Sequence, residues 1–171
     1  MLALIALAFN LLKDNKIQIR DYESAIVAKT YVTDNFKEAS STGFRRIANY
    51  IFGGNSKGKS ISMTAPVLVS KDNDTNKHEI LFFMPREYKI ETLPKPSLES
   101  VVVEDRSLGK VASISFGGWA TEKNILYNKE ILKKYLKKNS YEILDNFMVA
   151  QYNSPWAIPP FRRNEILVKI N

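Results

Sequence analysis

The chain has 171 residues, a formal net charge of +7, no cysteine and one histidine. Without thiols there can be no thiolate zinc site, cysteine nucleophile or iron–sulfur cluster, and a chain of this length buries about two thirds of its unfolded surface as one domain without a disulfide. The positive charge favours anionic partners in general, but a cluster of lysines between Lys123 and Lys138 has the spacing of a solvated helix face, so nucleic-acid binding is not expected.

In chain order, residues Met1 to Ala8 are apolar but short and carry no basic leader, so they read as a signal remnant or as part of a first strand, and location is left open between cytoplasmic and exported. Ala8 to Leu12 is expected as a strand, with Lys16 to Arg20 as its hairpin partner. No later stretch is long and apolar enough to span a bilayer. Ala25 to Val32 reads as a strand. Phe36, Ser40, Gly43, Phe44, Ile47, Ala48 and Ile51 recur at spacings of three and four, which predicts an amphipathic helix, with a cap among Thr33, Asp34 and Asn35 and a stop at Gly53-Gly54.

The next stretch, GGNSKGKS from Gly53 to Ser60, matches the phosphate loop of nucleotide hydrolases letter for letter. Such a loop must leave a strand and open a helix whose first amides face the phosphates. Here the order is helix, loop, strand, so a nucleotide site is not expected. Strands follow at Ile61 to Lys71 and Glu79 to Met84, joined by the turn Asp72 to Asn76, and then a Pro-rich connector from Pro85 to Ser100. Val101 to Asp105 imitates an apolar strand ending in magnesium-binding acids, a common pattern that adds little. A strand at Val111 to Phe116, a helix at Thr121 to Lys138 with the stripe Ile125, Leu132 and Leu136, and strands at Phe147 to Tyr152 and Glu165 to Ile170 complete the chain.

Both halves therefore read strand, helix, strand, strand. That repetition predicts an α+β fold: one domain formed by a distorted antiparallel β-barrel of two pseudo-twofold-related repeats, with two helices packed outside.

Four segments resemble the SOUL, or haem-binding-protein, family: Gly43 to Asn55, Lys59 to Val67, Ser115 to Ala120, and Tyr152 to Pro155 with Arg162 to Glu165. They occur in the family's order over about nine tenths of the chain. The resemblance implies a barrel flanked by two helices and a non-enzymatic binding protein for haem or another tetrapyrrole. It also implies an apolar cleft between the first helix and the loop before the last strand. Where some members carry a proposed axial histidine, this chain has Asp21, so haem is the implied ligand without a convincing iron ligand. The single histidine, His78, reads as an exposed residue beside a turn.

A porphyrin is a flat apolar plate with two carboxylates at one edge, so it needs apolar walls and a basic rim. The candidate walls are Phe44, Ile47, Ala48, Ile51, Met63, Trp156, Ile158 and Phe161. Arg45, Arg46, Arg162 and Arg163 could pair with its carboxylates. Each has a plainer reading as core, or as an arginine holding the C-terminal loop through Glu38, Glu104 or Glu165. A protein-interaction module centred on Trp156, or a hydrolase using an acid such as Glu165, stays open. No metal site is expected, and the expected state is a monomer.

Overall fold

The computed structural model describes residues 17–72, 75–153, 157–158 and 161–171. Six strands form a closed antiparallel barrel. They are β1 (Ile17–Val32), β2 (Val67–Lys71), β3 (His78–Phe83), β4 (Val102–Gly117), β5 (Met148–Gln151) and β6 (Arg163–Lys169). Helix α1 (Phe36–Ile51) follows β1 and helix α2 (Glu122–Lys138) follows β4. Around the barrel the order is β1-β3-β2-β5-β6-β4, which is unchanged when the two halves of the chain are exchanged. The expected strand before Lys16 lies outside the described residues.

The helices start where side chains can cap them. Asn35 accepts a bond from the Glu38 amide and Thr121 one from the Asn124 amide, satisfying donors that have no partner within the helix. α1 packs Ile47, Tyr50 and Ile51 on Ala28, Ile80 and Phe82 of the barrel wall, and α2 packs Leu132 and Leu136 on Ile114, Ile166 and Val168. Since strand side chains alternate, the remaining cluster of Val27, Leu68, Leu81, Leu108, Val111, Met148, Ala150 and Leu167 fills the bore. The barrel is thus a packed core with helices on its outer surface.

Two long strands replace what reads as four short ones. β1 and β4 pair from Ile17↔Ile114 to Lys29↔Val102. In β1 the inward residues are even-numbered up to Tyr22 and odd-numbered from Ala25 on, and β4 changes parity alongside it, where Gly109 adopts a φ of 64°. The period-two pattern breaks there although the pairing continues. In the other direction, Ile61 to Pro66 is not part of the strand read from the sequence, and β2 begins at Val67. Pro66 has no amide proton to give a sheet ladder, the Ile61 amide bonds the Ile51 carbonyl, and Thr64 caps the Phe83 carbonyl through its hydroxyl.

His78 is buried at 5% exposure, not exposed as its place beside a turn suggested. The Phe36 ring meets it edge-on at 6.2 Å. Burial, with help from Lys71, holds its pKa below the ordinary value.

The helix α1 reaches the wall because Gly43 lacks a side chain: a Cβ there would overlap Ile80. Gly43→Ala should therefore lower the urea-unfolding free energy by about 2 kcal/mol, despite alanine's better helix propensity, because the overlap outweighs it. A gain in stability would show that the contact relaxes freely.

Candidate functional site

The loop that imitates a phosphate site is occupied by its own asparagine. Asn55 donates through Nδ2 to the Tyr50 and Lys59 carbonyls at 2.9 and 2.7 Å, and its Oδ1 accepts from the Lys57 and Lys59 amides at 3.2 and 3.1 Å. The amides a phosphate would use are thus directed at a carboxamide.

The same turn leads into the segment that carries Met63. α1 ends at Ile51, Phe52 bridges to Ser60, and residues 60–66 lead back to the sheet at Val67. Val67 pairs with Gln151, so the segment before β2 and the loop after β5 leave the sheet side by side. Both carry apolar side chains in water: Met63 at 44% exposure, Ile158 at 59% and Phe161 at 74%, with Phe52 also exposed. Ala48 is half-buried, and Phe44 is half-buried against Phe82 at 5.4 Å between rings. Ile47 and Ile51, at 0% and 1%, are sealed between helix and barrel. Trp156 lies outside the described residues.

The four arginines do different work. Arg45 bonds the Ser41 and Thr42 hydroxyls on its own helix, and Arg46 donates to the Tyr31 carbonyl at 2.9 Å, tying α1 to β1. Arg162 stacks on Trp119 at 3.9 Å and donates through Nε to the Ala157 carbonyl. Arg163 stacks on Tyr152 at 4.6 Å and bonds Glu165 at 2.8 Å. Of the three acids offered as arginine partners from sequence, Glu165 is the one paired within this set. Glu104 instead meets Lys29 at 2.8 Å and Arg106 at 3.4 Å.

Sequence reading missed the charges inside the barrel. Glu165, fully buried on β6, accepts two bonds from Arg20 at 2.9 and 3.0 Å, one from the Tyr152 hydroxyl at 2.8 Å and one from Ser115 at 3.1 Å. At the other end of the bore Glu79 on β3 accepts from Arg106 at 3.3 and 3.2 Å and from the Tyr31 hydroxyl at 3.0 Å. Each pair joins the third strand of one half to the first strand of the other. The signal was a single carboxylate within each apolar run, HEILFF and RNEILVK, which requires a buried cation.

Burial alone would push the Glu165 carboxyl up, but the bonds from Arg20, Arg163 and Tyr152 hold it at about 2. Arg20 is held above its ordinary value, chiefly by its bond to Glu165. Burial, and then the same carboxylate, push the Tyr152 phenol up to about 12. Near neutrality the group is a fixed, saturated ion cluster.

Asp21, at the position of the family's proposed histidine, is exposed on β1 opposite Lys110. His78 starts β3, five residues from Phe83 and so about 17 Å along the strand from the end where Met63 and Phe161 lie. Among the described residues no group of three or more His, Cys, Asp or Glu side chains is placed to hold a metal, and no helix is long and apolar enough to cross a membrane.

Residues 6–169 match the family model described as SOUL heme-binding protein. The chain belongs to the SOUL haem-binding protein family. It is 31% identical over 153 residues to heme-binding protein 1 of Xenopus laevis, covering 86% of this chain and 80% of the relative. It is 32% identical over 166 residues to heme-binding protein 1 of Mus musculus, at 92% and 86% coverage. Heme-binding protein 2 of Homo sapiens is 29% identical over 157 residues, at 87% and 75%. The barrel itself is wider spread. The EcmrR C-terminal domain superposes with a TM-score of 0.67 at 11% identity, covering 92% of this chain and 98% of that one. A hydrolase from Listeria innocua superposes with a TM-score of 0.64 at 5% identity, covering 98% of both chains. At such identities the likeness concerns the fold alone.

Two outcomes follow. Asn55→Ala should cost about 2 kcal/mol in urea unfolding, because it removes the bonds to the buried Tyr50 carbonyl and to the part-buried backbone of Lys57 and Lys59, and ATP should stabilise neither it nor the parent chain. The Glu165 carboxyl ionises far more readily in the fold than the ordinary value of 4.5, so its stabilisation is complete above about pH 5 and fades as the pH falls towards 2. The loss should total about 3 kcal/mol and should vanish from the pH profile of Glu165→Gln, itself less stable at pH 7.

Proposed function

We infer that this chain is a non-enzymatic carrier of haem or a related tetrapyrrole, held outside the barrel in an apolar cleft between α1 and the loop before β6. The observation that carries the reading is the family match across residues 6–169, joined to relatives that are themselves named heme-binding proteins. The surface chemistry agrees with it. Met63, Ile158 and Phe161 present apolar area to water where two loops leave the sheet together, and Arg162 and Arg163 lie in one of those loops.

In this reading Ile47 and Ile51 fix the helix, while Phe44, Ala48, Met63, Ile158 and Phe161, with Trp156, meet the macrocycle. Arg45, Arg46, Arg162 and Arg163 stand as the basic rim. Arg162 and Arg163 keep their stacking partners. The bond to iron is not required. Burying about 400 Å² of macrocycle at about 25 cal/mol per Å² contributes on the order of 10 kcal/mol before ordering costs, enough for micromolar affinity. Glu165 belongs to the interior ion cluster, where every donor around it stabilises the carboxylate, which makes it a poor proton acceptor for hydrolysis.

Hemin titration followed by absorbance tests the reading. The parent chain should saturate at one hemin per chain. Phe161→Asp and Met63→Asp, both at exposed positions that leave the core intact, should each weaken binding by about tenfold or more. Binding that never saturates, or that ignores both substitutions, would reduce the interaction to adventitious adsorption and defeat the assignment.

A further inference from the structure

His78 stands where β1, β2 and the start of α1 meet. It opens β3 opposite Val32 on one side and Lys71 on the other, and the ring of Phe36, the first residue of α1, lies edge-on to it at 6.2 Å. Phe36 packs in turn against both outer core clusters, the one under α1 and the one under α2. The imidazole is 5% exposed, and among the described residues no hydrogen-bond partner reaches its Nδ1. Buried polar atoms are nearly always bonded, so an orphaned ring nitrogen at this junction calls for a reason. A neutral imidazole fits there as a flat ring against Phe36. A protonated one does not, because it carries a charge and an Nδ1–H with no acceptor.

The surrounding groups do not remove that cost. Lys71, its partner on β2, opposes a second positive charge, whereas the backbone and carboxylate of Asp34 and the carboxylate of Glu122, in the first turn of α2, favour one. Lys77 is exposed, and Glu79 points to the opposite face of β3, where Arg106 binds it. Burial is the largest influence, and the neutral ring is the favoured form.

We propose that His78 is an acid-sensitive latch for α1: neutral, it holds the first turn of the helix down through Phe36, and protonated, it frees that turn from the β2–β3 hairpin. Opening returns the ring to water and to its ordinary pKa of 6.5, while the closed form keeps a lower one. The closed form is therefore fully favoured above that value and loses ground as the pH falls below it. Phe44 and Ala48 lie further along α1, so acid also loosens one wall of the apolar cleft, a consequence that rests on the carrier reading.

Two measurements on the full chain without ligand test the latch, so its failure is distinguishable from failure of the carrier reading. His78 is the only histidine, and its ring-proton NMR signal needs no assignment. It should titrate with a midpoint below 6.5. Hydrogen exchange, corrected for intrinsic rates, should show the first two turns of α1 losing protection between about pH 7.5 and about pH 5.5, by up to about tenfold, the limit set by an ordinary histidine. Amides flanking Leu167 should hold theirs. In His78→Gln, whose side chain stays neutral, protection of α1 should not depend on pH over that range. A midpoint at or above 6.5 overturns the proposal, and that outcome is readable even if the variant does not fold. So does protection of α1 in the parent that ignores pH, a loss spread evenly over the barrel, or the same pH dependence in His78→Gln.

Discussion

Closing six strands into a barrel leaves a bore too narrow for anything but the chain's own side chains, and the rest of the structure follows from that constraint. Val27, Leu81, Val111 and Leu167 are among the residues that fill its middle, and a paired glutamate and arginine stand at each end. A flat macrocycle therefore has no room inside. The proposed cleft accordingly lies on the outer surface, where the helices cover much of the wall and the loops supply the rest. In this fold the interior confers rigidity and the periphery is left for recognition.

The ion pairs show how that interior is completed. A carboxylate within an apolar strand is costly unless a cation arrives with good geometry, and at each end an arginine from the opposite half of the chain supplies one. Arg20 reaches Glu165 and Arg106 reaches Glu79 across the halves, while Arg163 and Lys29 meet the same carboxylates from within their own halves. The pairs add little net energy over an apolar filling, but they penalise any closure that leaves a charge alone. They thereby favour the one strand order in which both are met.

Much of the architecture was legible in the sequence, and the failures have identifiable causes. Both helices announced themselves through their amphipathic stripes, and the cap of the first was narrowed to Thr33, Asp34 or Asn35, of which the structure uses Asn35. The repeated order of elements gave the barrel. The long strands β1 and β4 were each read as two pieces because inward parity shifts near Glu23 and Gly109, and a twist of that kind interrupts the pattern without interrupting the ladder. Ile61 to Pro66 alternated well enough to imitate a strand, since alternation does not record where the hydrogen bonds go. His78 was misjudged because a neighbouring turn suggests exposure while Phe36, distant in sequence, covers it. In the candidate site, the exposure of Ile158 and Phe161 follows from their Pro-rich loop, whereas Met63 was read within a strand. The burial of Ile47 and Ile51 could not be separated in sequence from a ligand-facing helix stripe, because core and cleft require the same residues at the same spacing. Arg20 and Arg106 were overlooked for want of a partner visible nearby: each lies far along the chain from its glutamate.

The central claim is that a tetrapyrrole is held on the outside of a barrel whose interior is already full. Hydrogen–deuterium exchange of the chain with and without protoporphyrin IX tests it most directly. The account predicts slowed exchange confined to the end of α1, residues 60–66 and residues 157–163, with the amides flanking Leu68, Leu81 and Leu167 unchanged. Protection centred on those interior positions, with none in the loops, would contradict it.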